Sequence, residues 1–374
     1  MDLNKWQVQE VYQIPKHIRA RGYLLLDGDF AFIAHDTHDG VDRLCYKGNL
    51  GEEHPRIGKL TQAGGRPLYS VQTSSGTFFL RWHGLGDGPL LKSIGNITSL
   101  NGEPYYTGLN LNGNGTVVIL GEDEKSCFPQ VGNLNHIFGK TCYTANIDNQ
   151  KQAVILDGKI VRVHDDITCF TTAEGIMRYA ARDQGDGTYV YCENDKRGPY
   201  TGVWHLQNKR GKPLYSYQIN RLFFAVYGHV ERQCSSFVQH LANIGKEPVF
   251  TFKFQQTWHV YQDNRSRRSY DRIFHFLTMD GKTLHDAKIN TNAFAVCDGR
   301  HLKSYKKILW LGHFLNRPFY GAEINDREQV AVYNEIETPG FDEIIGQECN
   351  LAARTICIGA RRGRTLYRAT FKAS

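Results

Sequence analysis

No run of 18 apolar residues occurs in the 374-residue chain, so no helix can be expected to cross a membrane. The start, Met1-Asp2-Leu3-Asn4-Lys5-Trp6, lacks the basic, then apolar, then small-residue order of a secretory signal. A cytoplasmic protein with no membrane partner is the expectation. The nine cysteines are odd in number, scattered, and never spaced as Cys-x-x-Cys, which excludes a disulfide framework or a zinc knuckle. Cys45, Cys192 and Cys297 stand in apolar runs and read as small buried hydrophobes. No Gly-x-Ser-x-Gly elbow is present, and the fifteen histidines show no spacing that pairs a nucleophile with a base.

Phosphate-loop chemistry is excluded in the same way. Gly139-Lys140-Thr141 and Gly281-Lys282-Thr283 end like such a loop, but Leu134 and Phe276 stand where its first glycine must be. His35-Asp36-Thr37-His38-Asp39 is the densest group of metal-ligand types, yet strand residues three apart point to opposite faces, so it reads as a solvated loop. Asn110-Leu111-Asn112-Gly113-Asn114-Gly115 lacks the acidic oxygens of a calcium loop and reads as a hairpin turn. No cofactor is expected.

What is present is a repeat. Gly, usually a charged residue, often Pro or Thr, an apolar residue and an aromatic recur as Gly65-Arg66-Pro67-Leu68-Tyr69, Gly102-Glu103-Pro104-Tyr105-Tyr106, Gly139-Lys140-Thr141-Cys142-Tyr143, Gly211-Lys212-Pro213-Leu214-Tyr215 and Gly363-Arg364-Thr365-Leu366-Tyr367. Weaker copies begin at Gly28, Gly175, Gly245, Gly281 and Asn316, so that ten copies follow one another, mostly about 36 residues apart. Each is followed by a short apolar burst such as Thr116-Val117-Val118-Ile119-Leu120 or Ala293-Phe294-Ala295-Val296-Cys297. The bursts are too short and too rich in β-branched and aromatic residues for helices. Their unbroken hydrophobicity requires both strand faces to be covered. Asn101-Gly102, Asp157-Gly158, Asp280-Gly281 and Asp298-Gly299 supply tight hairpin turns.

A period of this length holds four short antiparallel strands and leaves no room for a crossover helix. The expected fold is therefore an all-β propeller of about ten four-stranded blades spanning 1–374. The N-terminal strand around Trp6-Gln7-Val8-Gln9-Glu10-Val11-Tyr12 would complete the last, truncated unit. Two five-bladed rings divided near 185–200 are the alternative. The recurring aromatic, at Phe32, Tyr69, Tyr106, Tyr143, Tyr179, Tyr215, Tyr320 and Tyr367, is expected to pack between blades. The pattern resembles degenerate WD-type and TolB-like propeller repeats over about 28–371, which implies a propeller and a scaffold or binding role without identifying a functional residue.

Charge is unevenly placed: residues 1–200 hold 20 Lys and Arg against 23 Asp and Glu, and residues 201–374 hold 25 against 15. Three segments supply the basic excess, and from them Arg265, Arg267, Arg268, Lys303, Lys306, Lys307, Arg361, Arg362 and Arg364 are the candidates for contact with nucleic acid or an acidic partner. The expected function is a monomeric, non-enzymatic scaffold that binds a protein partner. A nucleic-acid or acidic-partner binder is the second reading, and a glycan-binding or glycan-hydrolysing propeller is the third.

Overall fold

A computed structural model describes residues 5–148, 150–183, 185, 187–192, 195–262 and 265–373, with the side chains of 265–268 outside the description. Every regular element in it is a strand, and the strands form ten four-stranded antiparallel sheets. Numbered as blades in chain order, nine span 18–50, 56–87, 93–128, 130–164, 166–200, 202–234, 238–270, 276–305 and 307–337. The tenth combines 343–372 with the strand Trp6–Gln13, which pairs antiparallel with Thr365–Lys372. The chain clusters into two compact units: residues 1–149, 155–160 and 338–374 form one, and 150–154 with 161–337 form the other.

The repeat maps onto each sheet in one way. The recurring glycine lies in the turn between first and second strands, where Asn101 and Gly102 have φ of 52° and 85°, Asp280 and Gly281 46° and 72°. Two successive positive φ values make a type I′ turn, whose twist matches that of the strands it joins. The apolar bursts become third strands, such as Thr116–Leu120, whose three central residues are buried, and Asn292–Cys297, in which Ala293, Ala295 and Val296 are buried and Phe294 partly so.

The tenth copy departs from this map. Gly363 lies between the strands Thr355–Arg362 and Thr365–Lys372, the second and third of blade 10, so Tyr367 does not occupy the recurring aromatic position. The equivalent turn is at Arg354, with φ of 52°, and carries no glycine. Local sequence likeness thus points to the wrong turn, and the irregular final spacing is explained by it.

A second recurrence escapes the repeat phrase. First strands of several blades shift register at a bulge, between Ile57 and Leu60, Ile94 and Ile97, and Val131 and Leu134. A hydroxyl of the second strand fills the bulge: Lys59 N–H donates to Ser70 Oγ at 2.9 Å and Asn96 N–H to Thr107 Oγ1 at 3.0 Å. Glycine is required because a Cβ on Gly58 or Gly95 would lie 2.5 or 2.6 Å from that oxygen.

The recurring aromatics do pack between blades. Each second-strand ring meets a residue of the preceding blade's last segment: Phe32 meets Tyr12, Tyr69 meets His54, Tyr179 meets His164, Tyr215 meets Tyr200 and Tyr320 meets Tyr305. Blade 7 uses Phe250, grouped with Cys234, and blade 8 uses His285 against Tyr270.

His285 is 2 % exposed, and neither ring nitrogen has a hydrogen-bond partner. Burial pushes its pKa down to about 4; His301 and His240 act in the same direction and Asp286 against them. Because the folded value lies below the unfolded value near 6.5, the neutral ring's contribution is complete above about pH 6.5 and is lost as pH falls toward 4. The expected result is a melting temperature that declines over this range more steeply in the wild type than in His285→Phe. Parallel declines in a pH series of thermal melts would contradict it.

Candidate functional site

A concave surface of about 1010 Å³ lies on blade 10, beside the Asp27–Gly28 turn of blade 1. Pairing register builds its wall. Glu348 lies opposite Cys357, Cys357 opposite Thr370 and Thr370 opposite Gln7, so these four side chains form one row across the sheet. Two residues along, Gly346, Gly359, Arg368 and Gln9 form the next row. The glycines in that row let blade 1 come close, since a Cβ on Gly359 would lie 2.9 Å from the Phe30 ring.

Polar groups on the wall are held in defined positions. The Glu348 carboxylate accepts the backbone N–H groups of Asp27 and Gly28, each at 2.8 Å. This is an anion seated on the paired amides of a tight turn. Blade 5 repeats the device, with Glu174 accepting from Arg210 N–H at 2.9 Å and from Gly211 N–H of blade 6. Arg368 donates to Gln9 Oε1 at 2.8 Å. Burial pushes the Cys357 thiol up to about 11, with the Glu348 charge acting in the same sense, so it is a neutral thiol rather than a nucleophile near pH 7.

At its outer side runs Trp6–Gln13, the last strand of blade 10. It is eight residues long, whereas the last strands of the other blades are two to six residues long. Residues Gln7 through Glu10 are exposed.

The basic candidates are distributed over both units. Arg265, Arg267 and Arg268 belong to the strand Arg265–Tyr270, but their side chains lie outside the described residues. Lys303 pairs with Glu337 at 2.7 Å, and Lys306 with Glu323 at 3.7 Å and with Asp326. Lys307 is exposed at the start of Lys307–Phe314. In the other unit, Arg361 pairs with Glu343 at 3.1 Å, and Arg362 lies over the rings of Phe341 and Tyr367 and donates to Gly340 O. Arg364 donates to the backbone oxygens of Ile14, Pro15 and Ile18. Its guanidinium fastens the N-terminal strand to blade 10.

The segment rich in metal-ligand types is only partly the solvated loop expected: His35 and the buried Asp36 end the strand Asp29–Asp36 and only the residues after them form a turn, with His35 Nδ1 2.9 Å from Asp42 Oδ1 and Asp36 accepting from His38 N–H at 2.9 Å and from Arg43 at 3.3 Å. In the glycine-rich segment after blade 3's second strand, Asn110 N–H donates to Gly115 O at 3.0 Å and closes a hairpin.

Sequence reasoning did not reach the blade 10 surface, because its rows draw on four strands up to 363 residues apart in the chain. The one signal available was the isolated Trp6–Tyr12 strand at the N-terminal side of the repeats.

Ten antiparallel four-stranded blades, the last sharing its sheet with the N-terminal strand, define the chain as a β-propeller. No protein-family model and no curated protein matches it. Among solved structures it is similar to apo AztD from Citrobacter koseri (TM-score 0.37, 10% identity, covering 91% of this chain and 95% of that one). The β-propeller domain of the Trilobed protease from Pyrococcus furiosus is also similar (TM-score 0.35, 10% identity, 86% and 97% covered).

Proposed function

We propose that the protein is a non-enzymatic binding scaffold that receives an extended segment of a partner protein along the outer edge of blade 10. The observation that carries this reading is the edge itself: an eight-residue strand at the border of its sheet, next to a concave surface of about 1010 Å³. An open edge offers a row of N–H and C=O groups that another strand can complete, and the adjoining concavity supplies pockets for alternate side chains. Gln7, Gln9, Arg368 and Glu348 provide donors and acceptors of both kinds beside that edge. The resemblance of the repeat to WD-type and TolB-like units fits a scaffold role as well.

A photo-crosslinking residue at Gln9, introduced in the native host, tests the reading. The expected result is a defined protein adduct that survives nuclease treatment and is absent when the same group replaces Lys159, an exposed residue on the last strand of blade 4. Equal adduct patterns at the two positions would remove blade 10 as the receiving edge.

A further inference from the structure

A smaller concavity, of about 220 Å³, lies between blades 5 and 6, both within one compact unit. One of its residues breaks the rule of the repeat. The second-strand position opposite the end of the third strand is apolar and buried in other blades, as Ala31, Leu68, Tyr105, Leu214, Leu284 and Phe319. In blade 5 that position, opposite Cys192, is Arg178, which is 5 % exposed. A guanidinium taken out of water is costly unless an opposite charge and hydrogen bonds compensate it.

Compensation at Arg178 is incomplete. Nη2 donates to Gly211 O of blade 6 at 2.8 Å, but Nε and Nη1 have no hydrogen-bond partner, and no carboxylate pairs with the side chain among the described residues. Glu174, near the same turn, is already held by the N–H groups of Arg210 and Gly211. Arg197, Lys212 and His229 line the concavity with Arg178, and Asp195 is the one carboxylate among the lining residues. Asp195 accepts from Arg197 Nε at 2.9 Å, while Arg197 Nη1 donates to Gly228 O at 2.8 Å. Lys212 and His229 are exposed, and the Lys212 stem runs along Gly228, with Cδ 3.2 Å from the Cβ position of that glycine. Burial pushes the Cys192 thiol up and the Arg178 charge draws it down, so the wall of the concavity feels a positive field.

A buried arginine without a counter-charge, beside an open basic rim, lacks a negative charge. We propose that the concavity binds a small oxyanion of the phosphate type. Its oxygens accept from the solvent-exposed Lys212 and His229 at the rim. Arg178, with little surface of its own, acts chiefly through its charge across the low-dielectric interior, where salt screens it far less than it screens the rim. Arg178, Arg197 and Lys212 stand against a single carboxylate, an excess that favours a dianion over a monoanion. The volume lies below the roughly 300 Å³ at which pockets for drug-sized ligands begin, so a phosphate or the phosphoryl end of a monoester fits and a nucleotide does not. The inference stands independently of the role assigned to blade 10.

Calorimetric titrations of the whole chain with inorganic phosphate, with N-acetyl-phosphoserine N-methylamide and with acetate, at constant ionic strength in chloride, test the assignment. Phosphate is expected to bind at least about tenfold more tightly than acetate, and Lys212→Met to weaken it several-fold. Arg178→Leu restores the residue type of blades 2, 6 and 8. It should lose about tenfold or more in phosphate affinity while melting no lower than the wild type in chloride. Phosphate should raise the melting temperature of the wild type more than that of Arg178→Leu, which separates site binding from the general salting effect of the ion. Binding of both phosphate probes assigns the site to phosphoryl groups on larger molecules, and binding of inorganic phosphate alone assigns it to the free ion. An Arg178→Leu variant that melts several degrees lower yet keeps wild-type phosphate affinity would show Arg178 to be a clamp on Gly211 only. That result, equal affinity for acetate, or no binding of either phosphate probe would overturn the proposal.

Discussion

Removal of residues 1–14 is expected to lower the melting temperature by about 10 °C or more and to broaden the transition. The strand Trp6–Gln13 is paired with Thr365–Lys372 at seven positions, and the Trp6 ring meets Phe371 edge-on with centroids 5.2 Å apart. Ile14 is 5 % exposed, and Val11 and Tyr12 pack on the same core group, which includes Phe32 of blade 1. Burying three such side chains contributes roughly 5 kcal/mol in transfer terms alone. Deletion would also strip Arg364 of its Ile14 carbonyl partner and turn Thr365–Lys372 into an unprotected edge. Calorimetry of the truncated chain checks the expectation. A melting curve superimposable on that of the full chain would show that the closing strand does not hold blade 10.

Asp42→Ala should be comparably damaging for a different reason. Its side chain is 3 % exposed, and one carboxylate serves three partners on two blades. Oδ2 accepts from Arg21 at 2.6 Å and from the Ile57 N–H at 2.8 Å, while Oδ1 faces His35 Nδ1 at 2.9 Å. Arg21 is half-exposed and can turn to water, so the cost falls chiefly on the buried Ile57 amide, left without an acceptor, and on the vacated site. Together these amount to about 2–4 kcal/mol. Asp42→Asn retains an oxygen for that amide and should lose about half as much. Urea titrations of the two variants separate the contributions, and equal losses would mean that charge rather than the amide bond dominates.

Asp42 also shows what the chain order conceals. It stands three residues past Asp39, the end of the segment richest in metal-ligand types, where side-chain identity invites thoughts of coordination. Its partners come from the first and second strands of its own blade and the first strand of the next, and strand pairing within one sheet together with packing of successive sheets brings them to it. The same holds for Tyr106 and Gly88. Both are ordinary members of the repeat in sequence, and only the stacking of blades 2 and 3 sets the tyrosine hydroxyl against a glycine where other blades present serine, histidine or tyrosine.

Strand type, strand count and turn positions were legible in the amino-acid sequence because they depend on neighbours within a few residues. Asn-Gly and Asp-Gly pairs set positive φ locally, β-branched and aromatic bursts favour extended backbone, and a near-constant period restates the same four-stranded unit. The error at Gly363 belongs to this local level too, since a turn between second and third strands uses the same residues as one between first and second. That the N-terminal strand completes the last unit was also legible, from the truncation of the final repeat, whereas the register of that pairing, the rows that make the blade 10 surface, and the glycine that faces Tyr106 were decided by tertiary structure alone. Each depends on register between strands or contact between blades, and such contacts are governed by the shape and charge of side chains distant in the chain, for which local periodicity holds no record.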